Sequence, residues 1–208
     1  MAKSREVLKK HRTMEFIAFL IIISAIIVFG VPTLTASLVS ADDDPFIGNP
    51  NAPVTMIMFS QYGCQFSRSF WQNTFPLLKQ NYIDTGKVKF VYRDLPPADP
   101  PQLTLPSIAA ECADEQGAFW QYNQKLISTV NIDKESLKTY AAELGLNIAQ
   151  FNQCLDSQKS LAEVSKDVQD ALSYGVTGTP TFFINGQKVE GDEGFNYFSN
   201  LIEKELAK

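Results

Sequence analysis

Histidine is almost missing from this chain: its single copy, His11, lies ahead of a long uncharged run. Everything after that run lacks the parts for a Cys–His nucleophile or a histidine-based zinc site, so no metal is expected there. Motifs for sugar, nucleotide or phosphate binding are absent as well, and no cofactor is implied. Internal repeats and low-complexity tracts are not found either. Basic residues are in short supply. Five of the 18 Lys and Arg and two of the 23 Asp and Glu fall within residues 1–41, which leaves a net charge of −8 on the remainder. With no basic stripe to offset it, that charge disfavours nucleic acid and anionic membrane surfaces as partners. Cysteine is rare and odd in number: Cys64, Cys112 and Cys154.

Charge is missing altogether from Phe16 to Ala41, and Phe16 to Val31 is nearly pure hydrocarbon. Such a run is long enough to cross a bilayer of roughly 30 Å at ~1.5 Å per residue. Lys3, Arg5, Lys9, Lys10 and Arg12 precede it, and Asp42, Asp43 and Asp44 close it. The positive-inside rule then predicts the N-terminus in and the rest of the chain out. Val39-Ser40-Ala41 also has the small residues of a cleavage site, with Pro32 as a helix break upstream. Run length favours a retained anchor over a cleaved signal. The expected layout is a basic cytoplasmic tail (1–14), a transmembrane anchor or signal segment (15–39), a linker (40–52) and an extracytoplasmic domain (53–208). That makes a single-pass protein of the cell membrane, or a secreted one if the chain is cut after Ala41.

The domain begins with Val54–Phe59, a short apolar run that reads as a buried strand. Residues 60–63 make a turn, and Phe70, Trp71, Phe75 and Leu78 then recur at helical spacing. Cys64 therefore falls at a helix N-terminus, where unpaired N–H groups and the macrodipole favour an anion. A thiol there is expected to titrate below the ~8.5 of a free cysteine. Ser67, one turn on, can donate a hydrogen bond to a thiolate but cannot attack a disulfide. Cys64-Gln65-Phe66-Ser67 is thus half of a C-x-x-C redox motif. The plain alternative is a small buried hydrophobe at a helix start.

Further on, Lys87–Arg93 alternates like a half-buried strand, and the prolines of Leu95–Pro101 break regular structure. From Leu105 to Tyr174 the pattern is helical, with five apolar faces that include Ile108, Leu126, Leu137, Leu155 and Val164. These helices make an insert of about residues 102–174. Phe182–Ile184 and Gln187–Val189 read as a hairpin across Asn185-Gly186. Pro180 opens the first of these strands, where proline harms the ladder least, and Thr179-Pro180 is a candidate cis bond. Phe195–Leu206 closes the chain as a helix.

The strand–turn–Cys64–helix unit and the hairpin from Gly178-Thr179-Pro180-Thr181 to Asn185-Gly186 resemble the DsbA-like branch of the thioredoxin superfamily. Arg93-Asp94-Leu95-Pro96, Ala109-Ala110-Glu111-Cys112-Ala113, Gln116-Gly117-Ala118-Phe119-Trp120 and Phe151-Asn152-Gln153-Cys154-Leu155 are similar to it as well, in the same order. The likeness runs from about Asp44 to Leu206. It implies an α/β thioredoxin fold with an inserted helical subdomain, preceded here by one N-terminal transmembrane helix. It also implies thiol–disulfide exchange on exported cysteine-containing proteins or peptides, with a low-molecular-weight thiol or partner reductase in support. Cys64 and Ser67 are then the catalytic positions, and Thr179 and Pro180 substrate-binding ones; Tyr62 and Phe66, which flank Cys64, are expected to add an apolar peptide-docking lip, with core packing as the alternative for Phe66. Relatives often carry glutamate at Met58 and aspartate at Gln61, so with Ser67 this chain departs at three points. A single-cysteine isomerase, mixed-disulfide reductase or client-holding protein is therefore expected rather than a dithiol oxidase. The alternative is a redox-silent binding module or assembly factor that uses the same groove without covalent chemistry.

Cys112 and Cys154 fall on apolar faces of insert helices, 42 positions apart. They are either two buried thiols or a structural disulfide. A compartment outside the cytoplasm favours the disulfide, which leaves Cys64 free and stabilises by about 4 kcal/mol in the chain-entropy model.

Overall fold

The computed structural model describes residues 39–41, 44–99 and 101–208. The expected transmembrane or signal segment lies outside them apart from Val39. Among the described residues, no helix is long and apolar enough to cross a membrane.

The sheet is built on β2 (Val54–Ser60) and β3 (Val88–Asp94), both buried over most of their length. They pair in parallel, which requires a crossover, and the helix α1 (residues 65–83) supplies it. That helix is α-helical at Gln65–Ser69 and Phe75–Leu78 and widens into π turns at Phe70–Thr74 and Lys79–Ile83. Pro76 has no N–H to return to the carbonyl four residues back, and the first wide turn lies just before it. β4 (Thr181–Ile184) runs antiparallel to β2 with Thr181 opposite Phe59, and β5 (Gln187–Glu190) completes the hairpin. A short β1 (Phe46–Ile47) pairs with β3, giving the order β1-β3-β2-β4-β5. Phe46 and Ile47 were expected in a linker. Two residues are too few to show a period, and only the free edge of β3 makes them a strand.

Between β3 and β4 come α2 (Leu105–Asp114), α3 (Phe119–Ser128), α4 (Lys134–Glu143), α5 (Ile148–Ser157) and α6 (Leu161–Ser173). The last helix is α7 (Phe195–Leu206). Asp133 and Asn147 cap α4 and α5 by accepting from Ser136 N and Gln150 N. Ile108, Phe119, Tyr122, Leu137 and Phe151 form a core inside the insert. Alternation along β2 then divides the sheet's two faces. Met56 and Met58 join Phe70, Phe182 and Phe198 under α1 and α7, while Ile57 and Phe59 meet Ala171 and Val176 on the other side. A disulfide joins Cys112 of α2 to Cys154 of α5 within the insert core, and Cys64 is a free cysteine.

Candidate functional site

β2 runs out at Ser60, and the turn that follows makes Cys64 the N-cap residue of α1, with φ −80° and ψ 122°. No side chain caps the first turn, so its N–H groups are available to the sulfur. Partial burial by itself raises the Cys64 pKa. Hydrogen bonds to the thiolate from Thr179, the Ser67 N–H and hydroxyl and the Phe66 N–H outweigh it, and the pKa ends below the usual thiol value. In the thiol form, Cys64 Sγ donates to the Thr179 carbonyl 3.1 Å away, across 115 residues of sequence. The antiparallel pairing of β4 with β2 makes that meeting possible. Thr179-Pro180 is a cis peptide bond, and Thr181 Oγ1 donates to the Gly178 carbonyl at 2.7 Å just beside it.

Ser67 is buried, and its Oγ has no hydrogen-bond partner among the described residues while the sulfur is protonated. Its hydroxyl is therefore free to turn to the thiolate as that forms. Phe66 is 58% exposed beside the sulfur. Tyr62 corrects the expectation of a two-residue docking lip. It is 4% exposed and packs against Tyr92 with ring centroids 5.9 Å apart, so it belongs to the core beneath the site. The turn sends Gly63 outward and Tyr62 inward. Met58 is fully buried between Tyr92 and Phe182 in the sheet register, and the Gln61 carbonyl accepts from Cys64 N. Neither position places a carboxylate at the sulfur.

Two features escape the sequence reading. Arg68 donates from Nε to the Tyr62 carbonyl at 3.0 Å and from Nη1 to the Ile127 carbonyl at 2.7 Å. It ties the end of α3 to the turn that carries Cys64. Its signal was a cation in the first turn of a helix, the end that disfavours one.

The second is Arg93, fully buried at the end of β3. It donates to Asp167 and Asp170, both at 2.7 Å, and pairs with Asp44 at 2.9 Å. Asp167 also accepts from Asp94 N at 2.7 Å. One guanidinium cannot neutralise so many acids. Burial first, and neighbouring carboxylates second, push Asp44 and Asp94 up to about 8 and Glu111 to about 9. Asp44, Glu163 and Asp167 bring carboxylate oxygens within 4.8 Å of one another, a spacing that suits a metal ion. Arg93 is already the cation bonded to two of the three.

A sequence-family profile described as thioredoxin matches residues 40–204. The Na(+)/H(+) antiporter NhaA 3 of Salinispora tropica is 32% identical over 171 residues, which cover 81% of this chain and 26% of that protein. The chain thus spans about a quarter of the length of the curated relatives it matches first. The probable disulfide bond formation protein D of Bacillus anthracis is 29% identical over 174 residues, 78% of either chain. Among solved structures, alpha-DsbA1 of Wolbachia pipientis superimposes with a TM-score of 0.70 at 28% identity, over 78% of this chain and 90% of that one. Profile, relatives and fold agree: the chain belongs to the thioredoxin family, in its DsbA-like group.

Proposed function

We propose that this domain carries out thiol–disulfide exchange on exported cysteine-containing proteins through Cys64 alone, tethered outside the cytoplasm by residues 15–39. The observation that carries the reading is a free thiol of lowered pKa at a helix N-terminus, with serine at the position a second sulfur would need. The Cys64 thiolate attacks a substrate disulfide and forms a new S–S bond. The substrate's own S–S bond breaks, and the leaving sulfur departs as a thiolate that takes up a proton. The extended substrate segment pairs with the backbone at Thr179, beside Pro180, as an added strand. Phe66 offers it an apolar contact. Release needs an external thiol, a partner reductase or the substrate's second cysteine, because Ser67 has no sulfur to attack with. Such a site suits isomerisation, mixed-disulfide reduction or client holding; the relative named for disulfide bond formation supports thiol–disulfide exchange in general.

The alkylation rate of Cys64 against pH tests it. A lowered pKa means that thiolate is present at lower pH, so the rate should climb through a midpoint below the ~8.5 of a free cysteine. A rate that stays negligible until the chain is denatured favours the redox-silent binding module, the reading that buried Met58 supports. The tether has its own check. Protease added to intact cells should remove residues 44–208, and a fully protected domain contradicts the extracytoplasmic placement. The mass of the mature protein separates a retained anchor from cleavage after Ala41.

A further inference from the structure

Arg68 carries its charge into the first turn of α1, half-buried and four residues after Cys64. That end of a helix disfavours a cation. Among the described residues its side chain bonds to main-chain carbonyls: Nε donates to Tyr62 at 3.0 Å, Nη1 to Ile127 at 2.7 Å and Nη2 to Leu126 at 3.5 Å. Leu126 and Ile127 lie in the last turn of α3, where carbonyls have no partner within the helix and the macrodipole is negative. The end of one helix thus holds a cation at the start of another. Tyr62 belongs to the turn that delivers Cys64. The bond that closes this turn is long, 3.3 Å from Cys64 N to the Gln61 carbonyl, so Arg68 is the firmer fastening. Arg68 N also closes the first turn of α1 on the Cys64 carbonyl at 3.0 Å. The residue grips the chain on both sides of the sulfur.

We propose that Arg68 is a positioning residue for Cys64: by bridging the turn to the end of α3, its guanidinium keeps the sulfur over the N–H groups of α1. The inference rests on Cys64 being the reacting thiol. The groups that act most on the sulfur are Thr179, Ser67 and Phe66, and no charged side chain is among them. Arg68 therefore works through geometry, by fixing where Cys64 sits relative to those donors, and its charge is secondary. A planar guanidinium serves carbonyls of two segments at once from a rigid fork. An ammonium keeps the charge but is a compact point on a flexible stem, and it loses the fork. The bridge also makes the insert a support of the thiol, since the carbonyls of Leu126 and Ile127 belong to α3.

The pH profile of Cys64 alkylation in the folded full chain reads the bridge, because a loss of stability alone does not move its midpoint. Arg68→Met and Arg68→Lys should each raise the midpoint by about half a pH unit or more, since hydrogen bonds to a thiolate lower its pKa and their weakening returns it towards ~8.5. At a pH below both midpoints the rate should then fall about threefold or more. If Arg68→Lys keeps the wild-type midpoint while Arg68→Met does not, charge alone is at work and the bridge is overturned. An unmoved midpoint in both variants overturns it as well. Should a variant fail to fold, the unaltered chain decides. Nitrogen-edited NMR should show the Arg68 Nε–H as a separate, slowly exchanging signal, and a solvent-averaged guanidinium overturns the proposal. A wild-type midpoint at or above ~8.5 is a different failure: it removes the reacting thiolate of the proposed function, and this inference with it.

Discussion

Ser67→Cys should shorten the life of a mixed disulfide on Cys64 by about a hundredfold or more, given the effective molarity of a neighbouring thiol. In the unaltered chain, a third thiol must arrive by diffusion at millimolar concentration. A sulfur at position 67 sits one helical turn away, where Ser67 Oγ already counts among the groups that bond the thiolate. Its effective concentration far exceeds millimolar, and intramolecular attack on Cys64 Sγ expels the substrate thiolate. The product is a disulfide between Cys64 and the sulfur introduced at position 67. Rapid-quench mass spectrometry of the glutathione adduct, with and without the substitution, measures both lifetimes. Equal lifetimes mean that position 67 cannot reach the sulfur, and the serine then explains nothing about the protein's behaviour.

Arg93→Met should cost about 3 to 5 kcal/mol, the usual penalty for removing one partner of a buried ion pair. Asp167 loses its cation while remaining buried, Asp44, which already holds its proton, loses a polar partner, and only Asp170 is exposed enough to recover water. Urea denaturation reads the loss. Adding Asp167→Asn should recover part of it, because the uncompensated acid is then gone. A single variant within about 1 kcal/mol of wild type contradicts this account. The same cluster sets the pH dependence. Asp44, Asp94 and Glu111 hold protons when folded that they release near pH ~4 when unfolded. Their contribution is complete below that range and is lost as pH rises towards about 8 to 9. Asp170, held below its usual value, works the other way on acidification, but it is one half-buried group against three others.

Much of the site is local in sequence, and for that reason it was legible. The apolar run before residue 60 forces a strand, and the helix that follows presents Cys64 at its start whatever the rest of the fold does. The hairpin is equally local: Asn185 and Gly186 both take positive φ, 46° and 86°, as a two-residue turn of this hand requires. Asp133 and Asn147 punctuate the insert in the same way. What could not be read depends on partners far along the chain. Arg93 looks like an exposed strand residue until α6 brings Asp167, 74 positions away, to its guanidinium. Arg68 meets the Ile127 carbonyl only because α3 ends beside the turn. The inward turn of Tyr62 follows from the room that Tyr92 leaves, and β1 exists because β3 has an edge to fill. Propensity and period carry no information about any of these.

The single-cysteine reading is tested most directly by the intact mass of the folded chain after exposure to oxidised glutathione across a pH series. The account predicts one glutathione per chain on Cys64, none in Cys64→Ala, and an adduct that persists once the oxidant is removed. It should form faster as pH rises through a thiol pKa below ~8.5. A chain that stays unmodified while folded and reacts only after unfolding would contradict the account, because Cys64 would then be a sealed core residue.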